Sequence, residues 1–234
     1  MKICAYVQDK YAKQTYANEC MDTRQFVGLR VIIDCIERAG YQVDYAGIAT
    51  VHQYDVVLVS ITSDCDWWPY VMDRIKWRKG NYKVIIGGAG VLHITPFIPF
   101  GDYFVLGRGE DVIEGLIKAI DAGDEYEGPS IVNAKTFSPD NTYEIAQVDQ
   151  TYQYYIKLSE TRQFIEGAIG CNHKCLFCGY TWQRKFISNI SDSYKMSDCL
   201  FGGIEDKELA MLDLVQGKEI DFAHLRTTAI DGLS

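Results

Sequence analysis

Three cysteines stand close together in the second half of the chain: Cys171, Cys175 and Cys178, in the run Gly-Cys-Asn-His-Lys-Cys-Leu-Phe-Cys-Gly-Tyr. A CxxxCxxC spacing supplies three local thiolates and no fourth, a donor set suited to an iron–sulfur cluster that keeps one iron open for a substrate or cosubstrate. An open coordination position points to chemistry. The alternative is a structural zinc site completed by His173 or by a distant residue. Closed zinc sites usually pair two short CxxC-like units, however, and no second unit is present. A disulfide role fits poorly, because nothing at the N-terminus resembles a secretory leader and the chain reads as cytoplasmic, where thiols stay reduced.

With the aromatic Phe177 just before the last cysteine, this loop resembles the CxxxCx-aromatic-C motif of the radical S-adenosylmethionine (radical SAM) superfamily. The resemblance implies that Cys171, Cys175 and Cys178 hold a four-iron four-sulfur cluster whose open iron binds the amino and carboxylate groups of S-adenosylmethionine. It further implies an enzyme that uses an external one-electron reductant to cleave the sulfonium, giving methionine and a 5′-deoxyadenosyl radical that takes a hydrogen atom from substrate. Phe177 would pack beside the adenine, or serve as a core aromatic.

Composition narrows the surroundings. The chain has 234 residues, 47% of them hydrophobic and 24% charged, which is an ordinary globular balance with room for one large core or two. No run of 18 apolar residues occurs, so no membrane span is expected. A net charge of −9 argues against a broad grip on nucleic acid, with a local patch at Arg184 and Lys185 left open. A small molecule, protein or peptide is the expected substrate. Cys4, Cys20, Cys35, Cys65 and Cys199 have no metal-like spacing and receive no role.

The elements that must position the cysteines begin with an alternation of short apolar runs and amphipathic stretches. Residues 2–7 read as a strand. Residues 23–39 place Phe26, Leu29, Ile33 and Ile36 at helical spacing and stop at Gly40. Strands follow at 41–46 and 55–61, the latter an unbroken apolar run of the kind buried in parallel sheets. Residues 67–79 form a helix with Pro69 in its first turn; strands at 83–86 and 102–106 and a helix at 111–122 complete the pattern. This predicts an α/β domain over residues 1–123, a Rossmann-like parallel sheet with crossover helices.

The glycines of that domain do not form a dinucleotide fingerprint, since Gln8-Asp9-Lys10 follows the first strand where GxGxxG is required. Gly87-Gly88-Ala89-Gly90 and Gly107-Arg108-Gly109-Glu110 instead leave later strands, either to line a crevice or as tight exits. Together with Asp55-Val-Val-Leu-Val-Ser60, Val84-Ile-Ile-Gly-Gly88 and Asp102-Tyr-Phe-Val-Leu-Gly-Arg-Gly-Glu-Asp111, these segments are similar to the cobalamin-binding-type domain that often precedes a radical SAM barrel. The DxHxxG motif that gives cobalt a histidine in many such domains is missing, with no histidine before His52. Cobalamin is therefore doubtful as a cofactor, though some superfamily members hold it without that histidine.

Residues 124–160 read as a linker carrying a β-hairpin, with strand-like stretches at 130–135 and 142–147 around the turn Ser138-Pro-Asp-Asn141. Residues 161–234 are expected to form the first part of a radical SAM partial (β/α) barrel. A strand at 162–169 would carry the cysteine loop at its C-terminal end, where barrel chemistry sits; a helix at 205–215 and a strand at 222–230 follow. Either Gly202 and Gly203 or Asp231 would contact the methionine part of S-adenosylmethionine; the other readings are a helix N-terminal turn and a plain strand exit. Only two or three barrel units fit, whereas six need on the order of 180 residues when a complete eight-unit barrel takes about 250. The expectation is the N-terminal part of a longer enzyme, or a chain that needs a second one to complete the barrel. The rival function is a non-catalytic truncated relative that binds a partner, or carries cobalamin or a nucleotide, around a structural metal site.

Overall fold

The computed structural model describes residues 1–7, 27–62, 66–91, 93–150, 152, 156–157, 163–166, 168–169, 187–188 and 201–204. The chain divides into two compact units, Met1–Ala146 and Gln147–Ser234.

Unit 1 is built on a six-stranded sheet: β1 (Ile3–Tyr6), β2 (Val43–Ala46), β3 (Val56–Ser60), β4 (Lys83–Gly87), β5 (Tyr103–Val105) and β6 (Ile131–Asn133). Its spatial order is β2-β1-β3-β4-β5-β6, parallel throughout except for β6, which runs antiparallel to β5. Among the described residues three α-helices cover it, α1 (Val27–Arg38), α2 (Trp67–Arg74) and α3 (Ile113–Ala122). Side chains alternate across each strand, so consecutive apolar residues serve two cores. Ile3, Ala5, Val56, Leu58 and Ile85 meet Leu29, Ile33 and Ile36 of α1 and Ile113, Leu116 and Ile117 of α3 on one face. Cys4, Tyr6, Val57, Val59, Val84 and Ile86 meet Trp67, Tyr70 and Val71 of α2 on the other. Burial on both faces is why Val56 to Val59 are apolar without a break.

The α/β reading of the N-terminal region holds, with a few displaced boundaries. The helix expected over 67–79 ends at Arg74, and the next turn tightens as Lys76 N–H donates to the Asp73 carbonyl (2.9 Å) and Trp77 N–H to that of Arg74 (3.2 Å). This turn drives Trp77 inward, to 4.7 Å from the Tyr6 ring and 6.0 Å from both Tyr70 and Tyr82. Burial of that indole outweighs the modest helix propensity of the residues around it. The start expected at residue 23 lies outside the described residues.

The linker hairpin is corrected. Ile131–Asn133 pairs with β5, and residues 142–147 form no strand; instead Ala146 N–H donates to the Leu106 carbonyl (2.8 Å) and Arg108 N–H to the Ala146 carbonyl (3.1 Å). Ile131 and Val132 are both buried, one in each core, which a solvated hairpin could not achieve.

In unit 2, β7 (Ile156–Lys157) and β11 (Phe201–Ile204) flank β8 (Gln163–Glu166), and β9 (Ala168–Ile169) pairs with β10 (Ile187–Ser188). All these pairings are antiparallel. They replace the single strand expected at 162–169, and among the described residues no parallel barrel is shown. The short sequence distance from β7 to β8 makes a local antiparallel ladder cheap in loop-closure entropy. The helix expected at 205–215 and the strand at 222–230 lie outside the described residues.

Candidate functional site

Strands β1 and β3 are neighbours, yet the helix that follows β1 packs on one face of the sheet and the helix that follows β3 packs on the opposite face. The chain therefore diverges at their carboxyl ends, and that divergence is where open α/β sheets take ligands. Residues 8–26 and 63–65, which continue from these two strands, lie outside the described residues. What is described of the rim is the exits of β2, β3, β4 and β5.

These exits are tightly bound to one another. Beyond β3, Thr62 N–H donates to the Asp66 carboxylate (2.9 Å), which ties the strand end to the start of α2. Ile61 N–H donates to the Gly87 carbonyl (2.8 Å), Gly90 N–H returns to the Ile61 carbonyl (2.9 Å), and the buried Trp67 indole N–H donates to the Gly90 carbonyl (2.9 Å). Gly88 has φ of +111°, and a Cβ there would press against the Ile61 carbonyl oxygen. Gly107, with φ of +88°, is similarly crowded by the backbone of Ala146. Both glycines are explained by backbone meeting backbone, as tight exits require. The charges of the β5 exit neutralise each other as well: Arg108 and Glu110 form a largely buried ion pair. On α1, Arg30 Nη1 donates to the Tyr45 hydroxyl (2.8 Å). These rim groups are thus bonded to one another. Among the described residues no group of three His, Cys, Asp or Glu side chains is placed to hold a metal.

Of the residues singled out from sequence, Cys171, Cys175, Cys178, Phe177 and Asp231 lie outside the described residues. Gly202 and Gly203 lie in β11, paired with Ile165 and Phe164 of β8, so the helix N-terminal turn expected there is replaced by a strand. One described feature bears on the cysteines. Ile169 pairs with Ile187 and Ala168 with Ser188, so the connection that carries all three thiols is closed at its base by a two-residue ladder.

No family model, curated protein or solved structure matches the chain. Chemistry must therefore be argued from the donor set itself. Three cysteines on one closed connection can supply three thiolates to a cluster, and the sequence between Ile169 and Ile187 adds one imidazole, His173, and no carboxylate.

Sequence reasoning missed a polar hub at the opposite, amino-terminal rim. The Glu125 carboxylate accepts from the Tyr103 hydroxyl (3.0 Å), from Asn133 Nδ2 (2.9 Å) and from Lys135 Nζ. The Lys135 hydrogen bond, then those of Asn133 and Tyr103, hold the Glu125 carboxyl down at about 2. Burial, and secondly the bond to Glu125, push the Tyr103 phenol up to about 12. The hub fastens β5, β6 and the segment after α3, at the opposite ends of the strands from the rim just described, and reads as a brace. Its only sequence signal was two polar residues, Asn133 and Lys135, flanking a buried strand. Cys4 is fully buried, and its thiol is pushed up to about 12 by burial and then by Asp44.

Proposed function

We propose that this chain is a radical SAM enzyme, or the N-terminal portion of one, in which Cys171, Cys175 and Cys178 hold a four-iron four-sulfur cluster. The observation that carries the reading is the CxxxCxxC spacing with Phe177 before its last cysteine. The β9–β10 ladder supports it, since closing the base of the connection reduces the entropy lost when three thiolates converge on one ligand. Bound there, the cluster would supply the electron for reductive cleavage of S-adenosylmethionine, the source of a 5′-deoxyadenosyl radical. The chain's own part is to present thiolates rather than thiols, to leave one coordination position without a side chain, and to screen the site from water. Either Gly202 and Gly203 or Asp231 is the proposed contact for the methionine part, and Phe177 for the adenine. Unit 1 acts as the accompanying cobalamin-type domain. Its Asp9-Lys10-Tyr11 segment carries no imidazole, so cobalamin would have to bind without a histidine to cobalt.

The test is anaerobic reconstitution with iron and sulfide, followed by chromatographic measurement of 5′-deoxyadenosine after addition of dithionite and S-adenosylmethionine. The expected result is iron retention and 5′-deoxyadenosine formation, both abolished in Cys175→Ala. A preparation that binds no iron, or that holds zinc between four side chains, overturns the proposal. A second reading is favoured by the antiparallel pairings of β7, β8 and β11: a non-catalytic relative whose metal only braces a partner-binding or carrier module. An iron-loaded protein with no 5′-deoxyadenosine above background would establish it. A corrinoid colour retained through purification would add the carrier role.

A further inference from the structure

We infer that helix α2 presents a docking face for an acidic amphipathic helix of a partner protein. Trp68, Met72 and Ile75 are 69%, 42% and 67% exposed, the large apolar side chains that unit 1 leaves to solvent on this element. They recur at i, i+4 and i+7, so they share one side of the helix and its last turn, while Trp67, Tyr70 and Val71 occupy the side buried in the core. A surface helix ordinarily turns polar residues outward. Here the outward stripe is apolar, and its largest member is a tryptophan, the side chain most often found at the energetic centre of protein contacts.

What covers the stripe is indicated by its border. The chain runs on from the stripe into exposed Lys76, Arg78 and Lys79. Lys76 lies 3.6 Å from Asp73, whereas among the described residues no carboxylate pairs with Arg78 or Lys79. A cationic border on a protein of net charge −9 departs from the sign of the whole molecule, so it selects and steers an acidic partner. An anionic bilayer would also match tryptophan beside lysine and arginine. Yet α2 has eight residues with its other side committed to the core, which leaves too short a face to lie in a bilayer interface. A helix carrying apolar anchors at i, i+3, i+4 and i+7 with acidic flanks complements both the stripe and its border.

The experiment uses the full chain and a fluorescein-labelled helical peptide with leucine at those anchor positions and glutamate on the flanks, read by fluorescence anisotropy. The same peptide with lysine in place of glutamate is the control. The acidic peptide should bind, with affinity falling as salt rises and weakened about tenfold or more by Trp68→Ala. The double charge reversal Arg78→Glu with Lys79→Glu should weaken it comparably, and the melting temperature of all variants should stay at that of the parent, because the altered side chains are exposed. Equal binding of the lysine peptide, or indifference to Trp68→Ala, overturns the proposal. So does a Trp68-dependent association with phosphatidylserine vesicles, which would make the face a membrane contact. A self-association in sedimentation that Trp68→Ala abolishes would assign the face to a second copy and overturn it equally.

Discussion

Substitution of Gly88 by alanine tests whether the rim exits are held by backbone packing. The φ of +111° is a region that side-chain-bearing residues enter at a cost of about 1–3 kcal/mol. The new Cβ would also press on the Ile61 carbonyl oxygen, the acceptor for Gly90 N–H at 2.9 Å, and a displaced bond of this kind costs about 1 kcal/mol more. The expected loss is therefore about 2–4 kcal/mol, a large part of the 5–15 kcal/mol typical of a folded domain. For a unit of this size about 3 °C accompanies each kcal/mol, so the melting temperature should fall by about 6–12 °C. Gly87→Ala is the internal control: its Cβ would lie 3.7 Å from that of Val105, an ordinary contact, and its cost should stay below about 1 kcal/mol. Urea unfolding followed by tryptophan fluorescence reads the exits directly, because Trp67 donates to Gly90 beside them. If Gly88→Ala unfolds within about 0.5 kcal/mol of Gly87→Ala, the reasoning from backbone approach is wrong.

Two further predictions concern titration and reactivity. Glu125 has a folded value of about 2, below the unfolded carboxylate value of about 4.3, so its contribution is complete above pH 5 and is lost as pH falls from there toward 2. Urea midpoints of the parent and of Glu125→Gln should therefore differ by a constant amount from pH 5 to 7 and converge as the solution is acidified; a gap that persists at pH 2 would contradict the hub. Cys4, buried and with its thiol raised to about 12, should resist iodoacetamide in the native protein at pH 8 while half-buried Cys35 is modified first, as read by peptide mass spectrometry. Equal labelling of the two would mean that the first strand opens more readily than its burial implies.

The parallel sheet was legible because burial on both faces writes itself into the sequence as unbroken apolar runs, Val56 to Val59 being the clearest. Helix α1 was legible for a different reason, the recurrence of Leu29, Ile33 and Ile36 on one side. What escaped depended on distant partners. Nothing near Ser130 announces that Ile131–Asn133 will pair with a strand some thirty positions earlier, although two adjacent buried apolar residues should have argued against a solvated hairpin. The early end of α2 follows from the pull of Tyr6, Tyr70 and Tyr82 on Trp77, which no local propensity encodes. At the rim, the glycine exits were seen, but their contacts with Ile61 and Ala146 come from chain segments far away in sequence. The cysteine connection was the reverse case, legible as a motif, with its closing ladder hidden because a two-residue strand at Ile187 and Ser188 is too short to show an alternating pattern.

The reversed direction of β6 fixes where the first unit hands over to the rest of the polypeptide. After Asn133 the chain emerges beside the amino-terminal ends of the parallel strands, and residues 134–146 carry it back until Ala146 is bonded to Leu106 and Arg108. The departure point of the first unit is thereby moved from the bracing rim to the rim where a ligand would enter. Deleting this return path would strip cover from the last parallel strand and relocate the departure point to the other end of the sheet.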